Sequence, residues 1–241
     1  MPYYRTTYYC GDVYEVEEYY SPRIRGKRIP RGKNQHLSSE QQMELNLRNA
    51  RKKLSRTINT NFGKGDVFVT LTYAEEPTEG MARREMTNFL RRVKRYRQKE
   101  GMSPLKYVAV TEMSDHRIHH HMILNAISAD AVLSQWKKGR AIISKLEPGG
   151  DYTGLANYIT KEASLYGRGK RWSQSRNLKK PKIRVRVIKK EKLTPLNPPR
   201  GYKVIQQQFY VSEATGQVQY LRAIRIGGAD YSESTRSDDL L

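Results

Sequence analysis

Apolar residues along the middle of the chain recur at spacings of three and four in some stretches and of two in others, which separates helices from strands. Ser39 and Gln42 stand at the spacing of a capping box, and Met43, Leu47, Ala50, Leu54 and Ile58 follow at helical intervals, predicting an amphipathic helix. Its other face carries Arg48, Arg51, Lys52 and Arg56, expected to be solvated. The run VFVTLTY, residues 67–73, is β-branched or aromatic apart from Leu71 and predicts a strand buried on at least one side. A second helix follows, with the stripe Met86, Phe89, Leu90, Val93 and Tyr96 among many cations. Residues 105–112 and 118–126 read as two strands of a hairpin joined by a polar turn. A short helix near 128–137, a strand near 140–146 and a turn at Gly149 and Gly150 come next. From Asp151, the positions Leu155, Ile159, Ala163 and Tyr166 predict a further helix that Gly167 would stop.

The flanks read differently. Residues 1–36 pair tyrosines (Tyr3, Tyr4, Tyr8, Tyr9, Tyr19, Tyr20) and then run through cations broken by Pro and Gly, which predicts an extended basic arm, either following a phosphate backbone or solvated. Residues 203–211 and 217–226 predict a hairpin appended to the core, and the Ser/Asp-rich tail beyond Gly228 is expected to be disordered. The expected organisation is one core with extensions: 1–60 arm and amphipathic helix, 61–180 core, 181–228 β-hairpin extension, 229–241 polar tail. Strand, helix, two strands, helix, strand, helix is the order of an α+β fold with helices against an antiparallel sheet.

Charge narrows the partner. Lys and Arg number 45 against 24 Asp and Glu, a formal charge of +21. Cations placed near phosphates gain by releasing condensed counterions, so a polyanion is the expected partner, with a generic basic protein as the bland reading. No stretch approaches the roughly 18 apolar residues of a membrane span, so no membrane association is expected. The single cysteine, Cys10, excludes an intramolecular disulfide and a multi-thiolate zinc site and fits a cytoplasmic setting.

Candidate chemistry starts with histidine. Four of the chain's 5 histidines fall within residues 116–121. Strand alternation sends His119 and His121 to one face and Ile118, His120 and Met122 to the other. Glu112 ends the neighbouring strand, so two nitrogens and one oxygen can meet around one divalent metal, leaving coordination positions open as in a catalytic site. The bland reading is surface or core imidazoles. Basic surroundings and a metal point to phosphoryl chemistry, with either a metal-bound water or a side chain as nucleophile. Residues 167–173, GRGKRWS, lack the pattern of a Walker A loop, so ATP hydrolysis is not expected. Tyr158, with Lys161 three residues on and on the same side of the predicted helix, is the candidate side chain. Tyr152 lies on the far side of that helix and Tyr166 about 80° around it, so a single tyrosine is expected to act. Taken alone, a Tyr-x-x-Lys spacing carries little in a chain with 17 tyrosines.

The order of the pieces carries more. FVTLTY, then HHHMIL, then YITK resemble, in sequence, the three motifs of the HUH endonucleases, and more closely the rolling-circle replication initiators of plasmids and single-stranded DNA phages. The resemblance spans roughly residues 66–180 and departs from the pattern at His120, where a bulky apolar residue is expected. It implies a core of RNA-recognition-motif-like topology, an antiparallel sheet with helices on one side. It implies Glu112, His119 and His121 as ligands of Mn2+ or Mg2+, Tyr158 as nucleophile, and Lys161 either as a contact to the scissile phosphate or as a support for the tyrosine phenolate. The implied product is a 5′-phosphotyrosine bond with a free 3′-hydroxyl, rejoined by the reverse reaction. The implied substrate is single-stranded DNA from an origin hairpin, with a separate helicase and polymerase, in a bacterial host cell. The DNA groove is expected from Thr70 and Thr72, from Arg91, Arg92 and Arg95 of the second helix, and from Arg168, Lys170, Arg171, Trp172 and Arg176. A relaxase or single-tyrosine transposase of the same superfamily, a hydrolytic metal enzyme and a non-catalytic nucleic-acid-binding protein remain as alternatives.

Overall fold

The structure is a computed structural model and describes residues 3–20, 39–114, 117–147, 149–161, 172–189, 193–212 and 216–226. Tyr3–Cys10 (β1) and Val13–Tyr20 (β2) form an antiparallel hairpin where an extended arm was expected. Its alternation escapes a hydropathy reading because many inward positions are polar: Thr6, Glu15 and Glu18 are buried beside Tyr4, Cys10, Val13 and Val16. The turn depends on Gly11, whose φ is 62° and whose place would put a Cβ 2.4 Å from the Asn59 carbonyl oxygen. The cations of residues 21–38 lie outside the described residues.

Ser39–Asn61 (α1) is the expected helix, but only its C-terminal half enters the core: Leu54 and Ile58 are fully buried while Met43 is 58% exposed. Arg56, expected in solvent, is buried. Its guanidinium lies 2.8 Å from Glu15 and 2.9 Å from Glu17 and stacks 3.4 Å from the Tyr8 ring centre. Burial alone would lower the Arg56 pKa, but the two carboxylates outweigh it and hold it above its ordinary value. Lys52 adds a 2.7 Å pair to Glu17. The hidden partners of α1 are therefore the acids of β2.

Val67–Thr72 (β3), Glu79–Lys99 (α2), Tyr107–Ser114 (β4), Arg117–Leu124 (β5), Ala129–Gln135 (α3), Ala141–Lys145 (β6) and Thr153–Ile159 (α4) follow in the expected order, then the short Ser173–Gln174 (β7). An antiparallel sheet forms in the order β6-β3-β5-β4-β7. One face sets Val69, Leu71, Met122 and Leu124 against Phe89 and Val93 of α2, Val132 of α3 and Trp136. The other sets Val108, Val110 and Ile123 against Leu54 and Ile58 of α1 and Ala156 and Ile159 of α4. The α+β class and the antiparallel sheet are as expected, whereas helices cover both of its faces. Each fully buried Leu or Ile here contributes about 1.5–3 kcal/mol.

The helix expected to run from Asp151 to Tyr166 ends at Ile159, and the Thr160 hydroxyl beyond it donates to the Ala156 carbonyl at 2.7 Å. Ala163, Tyr166 and Gly167 lie outside the described residues. Lys182–Ile188 (β8), Tyr202–Ser212 (β9) and Gly216–Arg225 (β10) complete a second antiparallel sheet, β8-β1-β2-β10-β9. The expected C-terminal hairpin is thus present, but it is joined to the N-terminal one, with Leu221 opposite Val16. No helix among the described residues is long and apolar enough to cross a membrane.

Candidate functional site

The register of the β4–β5 hairpin puts Glu112 opposite His119 and Val110 opposite His121, while β3 brings Thr72 and Thr70 to the same two residues. Alternation then sends His119 and His121 to the face shared with α1 and α4. His119 Nε2 lies 3.2 Å and His121 Nε2 3.1 Å from the same oxygen, Glu112 Oε2. Among the described residues these three side chains form a group able to hold a metal ion, with their donor atoms within 4.8 Å of one another.

Hydrogen bonding tests that fit. His119 Nδ1 sits 3.1 Å from the Arg117 carbonyl oxygen, which only accepts, so in the neutral ring Nδ1 carries the proton. The Nε2 lone pair then faces a carboxylate oxygen, acceptor against acceptor, an arrangement that a cation between them relieves. His121 Nδ1 is 3.1 Å from the Thr70 hydroxyl, which can fix its ring in the same sense. Burial, helped by His119, holds the His121 pKa down to about 4, so its ring is neutral at pH 7 and its nitrogen is free to ligate.

His120 is the departure from the expected apolar residue, and it takes the apolar place. It is fully buried on the α2–α3 face, Nε2 2.7 Å from the Tyr73 hydroxyl and Nδ1 2.9 Å from that of Thr111. Burial, with His119 and His121 adding to it, holds its pKa down to about 4. Both nitrogens are used, and His120 is not a member of the metal group.

Tyr158, in the last turn of α4, stands over this face with its ring centre 5.3 Å from that of His121 and inclined at 64°. Phe68 touches both rings, stacked on His121 at 5.6 Å and edge-on to Tyr158 at 6.2 Å. Tyr158 is 56% exposed, open to a substrate. Tyr152 is buried, with its hydroxyl donated to the Glu147 carbonyl at 2.6 Å. The N-terminus of α4 is braced to α1 by a 2.6 Å contact between Thr153 and Ser55 and a 3.2 Å bond from Asn59 to Asp151. Arg222 of β10 adds its Nε 3.0 Å from Asp151, though not in line for a hydrogen bond. Lys161 lies beyond the helix end, its amide bonded to the Tyr158 carbonyl at 3.1 Å, so helical spacing does not set its side.

The residues expected along a DNA groove separate. Thr70 serves His121, and the Thr72 hydroxyl donates to the Arg140 carbonyl at 3.2 Å. Trp172 packs against the cluster that holds α4, on the metal-group face. Arg91, Arg92 and Arg95 belong to α2 on the opposite face, where Arg92 donates to the Gln135 carbonyl at 2.9 Å. Arg91 and Arg176 line a common groove of about 840 Å3 between α2 and residues 173–177. Arg168, Lys170 and Arg171 lie outside the described residues. Sequence reading missed Phe68, whose alternation with Val67 and Val69 places it on the site face, and Asn59, for which the sequence carries no signal.

Residues 66–163 match the family model of the replication-associated protein ORF2/G2P. This segment, less than half of the chain, is similar to that family. The matched segment holds Glu112, His119, His121 and Tyr158 and ends before β7, so the second sheet lies wholly outside it. The match supports a replication-associated role. No curated protein and no solved structure matches the chain.

Proposed function

We propose that this protein initiates rolling-circle replication by nicking single-stranded DNA at an origin, with Tyr158 as the nucleophile and Glu112, His119 and His121 as ligands of Mn2+ or Mg2+. The observation that carries the reading is the facing of Tyr158 and His121 on one side of the sheet, 5.3 Å between ring centres, beside a ligand set with open positions. Tyr158 Oη attacks the phosphorus, a P–O bond to tyrosine forms and the P–O3′ bond breaks. The phenolic proton ends on the departing oxygen, leaving a 5′-phosphotyrosine and a 3′-hydroxyl. One ester replaces another, so the 3′-hydroxyl of a later strand can reverse the step and rejoin. A bound divalent cation supplies charge stabilisation at a non-bridging phosphate oxygen. A phenol with an ordinary pKa near 10 needs help to attack at pH 7, and Lys161 brings a cation three residues after Tyr158 in the chain.

A separate helicase would expose the strand, a polymerase would extend the 3′-hydroxyl, and the bacterial cytoplasm is the setting this reading implies. Single-stranded DNA incubated with the protein and Mn2+ is expected to give a protease-sensitive covalent adduct that EDTA prevents and Tyr158→Phe abolishes. Cleavage retained by Tyr158→Phe would replace tyrosine with water as nucleophile. Binding without cleavage by either protein would leave a non-catalytic DNA-binding role.

A further inference from the structure

Between α1, one side of α4 and one face of the second sheet lies a cleft of about 790 Å3, within the usual range of ligand pockets. Cross-strand register sets its chemistry. Tyr19, Val218 and Tyr210 form one row across β2, β10 and β9; Glu17, Tyr220 and Gln208 form the next; Glu15, Arg222 and Gln206 form the third. The edge strand β9 therefore presents Gln206, Gln208 and Tyr210 to the cleft and Gln207 to the opposite face.

The two sets of glutamines are used differently. Gln207 donates to the Leu196 carbonyl and Gln219 to that of Thr194, both at 2.9 Å, holding the segment around residues 193–196 on the far face. Among the described residues, nothing bonds to the side-chain amides of Gln206 and Gln208. Tyr19 and Tyr210 keep 36% and 49% of their surface exposed.

Charge decides what the cleft takes. Glu15, Glu17 and Glu44 line it beside Arg48, Arg51, Lys52 and Arg222, and Arg56 and Lys52 pair with the first two acids, so the charges nearly cancel and a phosphate alone is not what the cleft selects. A nucleobase is neutral and planar and carries donors and acceptors on its edge, which suits unpaired amides beside exposed rings. Arg48 and Arg51 line the same cleft from α1 and can take the phosphates between bases. On the α4 side the lining includes Asn157, the residue next to Tyr158.

We propose that this cleft reads unpaired bases flanking the cut, stacking them on Tyr19 and Tyr210 and hydrogen-bonding them through Gln206 and Gln208. The placement of the cut rests on the nicking reading above; the cleft as a base-binding site does not. One test sequences the adducts formed from a random single-stranded DNA library with Mn2+. Wild type is expected to show base preferences beside the cut, and Gln206→Ala with Gln208→Ala to flatten them at least about fivefold, with thermal melting retained. An unchanged preference in the double variant, or none in wild type adducts, overturns the proposal. If wild type forms no adduct, the nicking reading fails by itself, and photocrosslinking to a library substituted with 5-iododeoxyuridine decides the cleft. Crosslinks on Tyr19 or Tyr210 support it, and crosslinks confined to other segments overturn it.

Discussion

His121 and Tyr158, 37 positions apart in the chain, meet edge to face on the α1–α4 side of the central sheet, with Phe68 filling the corner between them. The contact joins a strand residue oriented by Thr70 to a helix residue oriented by α1. Replacing Tyr158 by Phe keeps the ring that packs there and removes only the hydroxyl. Its expected effect is complete loss of DNA adducts in a denaturing gel, with binding to single-stranded DNA kept within about threefold and melting unchanged.

The metal group makes a graded prediction. Glu112→Gln removes the only anionic donor, and Mn2+ affinity, read by titration of free Mn2+ in electron paramagnetic resonance, should fall by more than about 100-fold. Thr70→Val leaves all three donors and removes only the group that orients His121, a loss of about 10- to 100-fold. Equal affinities for the two variants would show that the ion is held elsewhere.

His120 predicts a pH dependence of stability. Its folded pKa lies near 4 against an ordinary 6.5, so the unfolded chain binds the proton more readily. The contribution is whole above about pH 6.5 and is lost as the pH falls through the folded value, with a size of up to about 3 kcal/mol. His121 titrates in the same direction and adds to the slope. Urea denaturation between pH 7 and 4 should therefore show falling stability, and His120→Leu should reduce the slope. A slope unchanged by that substitution would remove His120 from the account.

Arg56 predicts the strength of the link between the sheets. Its removal strands the Glu15 carboxylate, only 2% exposed, and leaves Glu17 with Lys52 alone. Arg56→Ala should cost about 3–5 kcal/mol in denaturant unfolding. Glu15→Gln should cost less, since burial already raises the Glu15 pKa and the neutral amide keeps a hydrogen-bond acceptor for Arg56.

What the sequence revealed followed locality. The faces of His119 and His121 come from a two-residue period, and the approach of Glu112 comes from a hairpin whose turn is visible in the chain. That Tyr158 stands over His121 depends on α4 packing across the sheet through Ala156 and Ile159, and only the order of motifs hinted at it. The N-terminal hairpin stayed hidden because burial there is bought with ion pairs: Glu15 and Glu17 look like solvent residues until Arg56, some 40 positions later, is seen between them. The early end of α4 at Ile159 was equally invisible, since the apolar period runs on past it.

The brace on α4 has a consequence for biosynthesis. Arg222, which reaches Asp151 from β10, leaves the ribosome 71 residues after Asp151, whereas every strand of the sheet that carries the histidines has by then been made. A nascent or prematurely ended chain can seat its histidines while the tyrosine helix still lacks its last support. If the protein nicks DNA as proposed, strand cutting by such fragments is expected to be weak, and that activity would wait on completed translation.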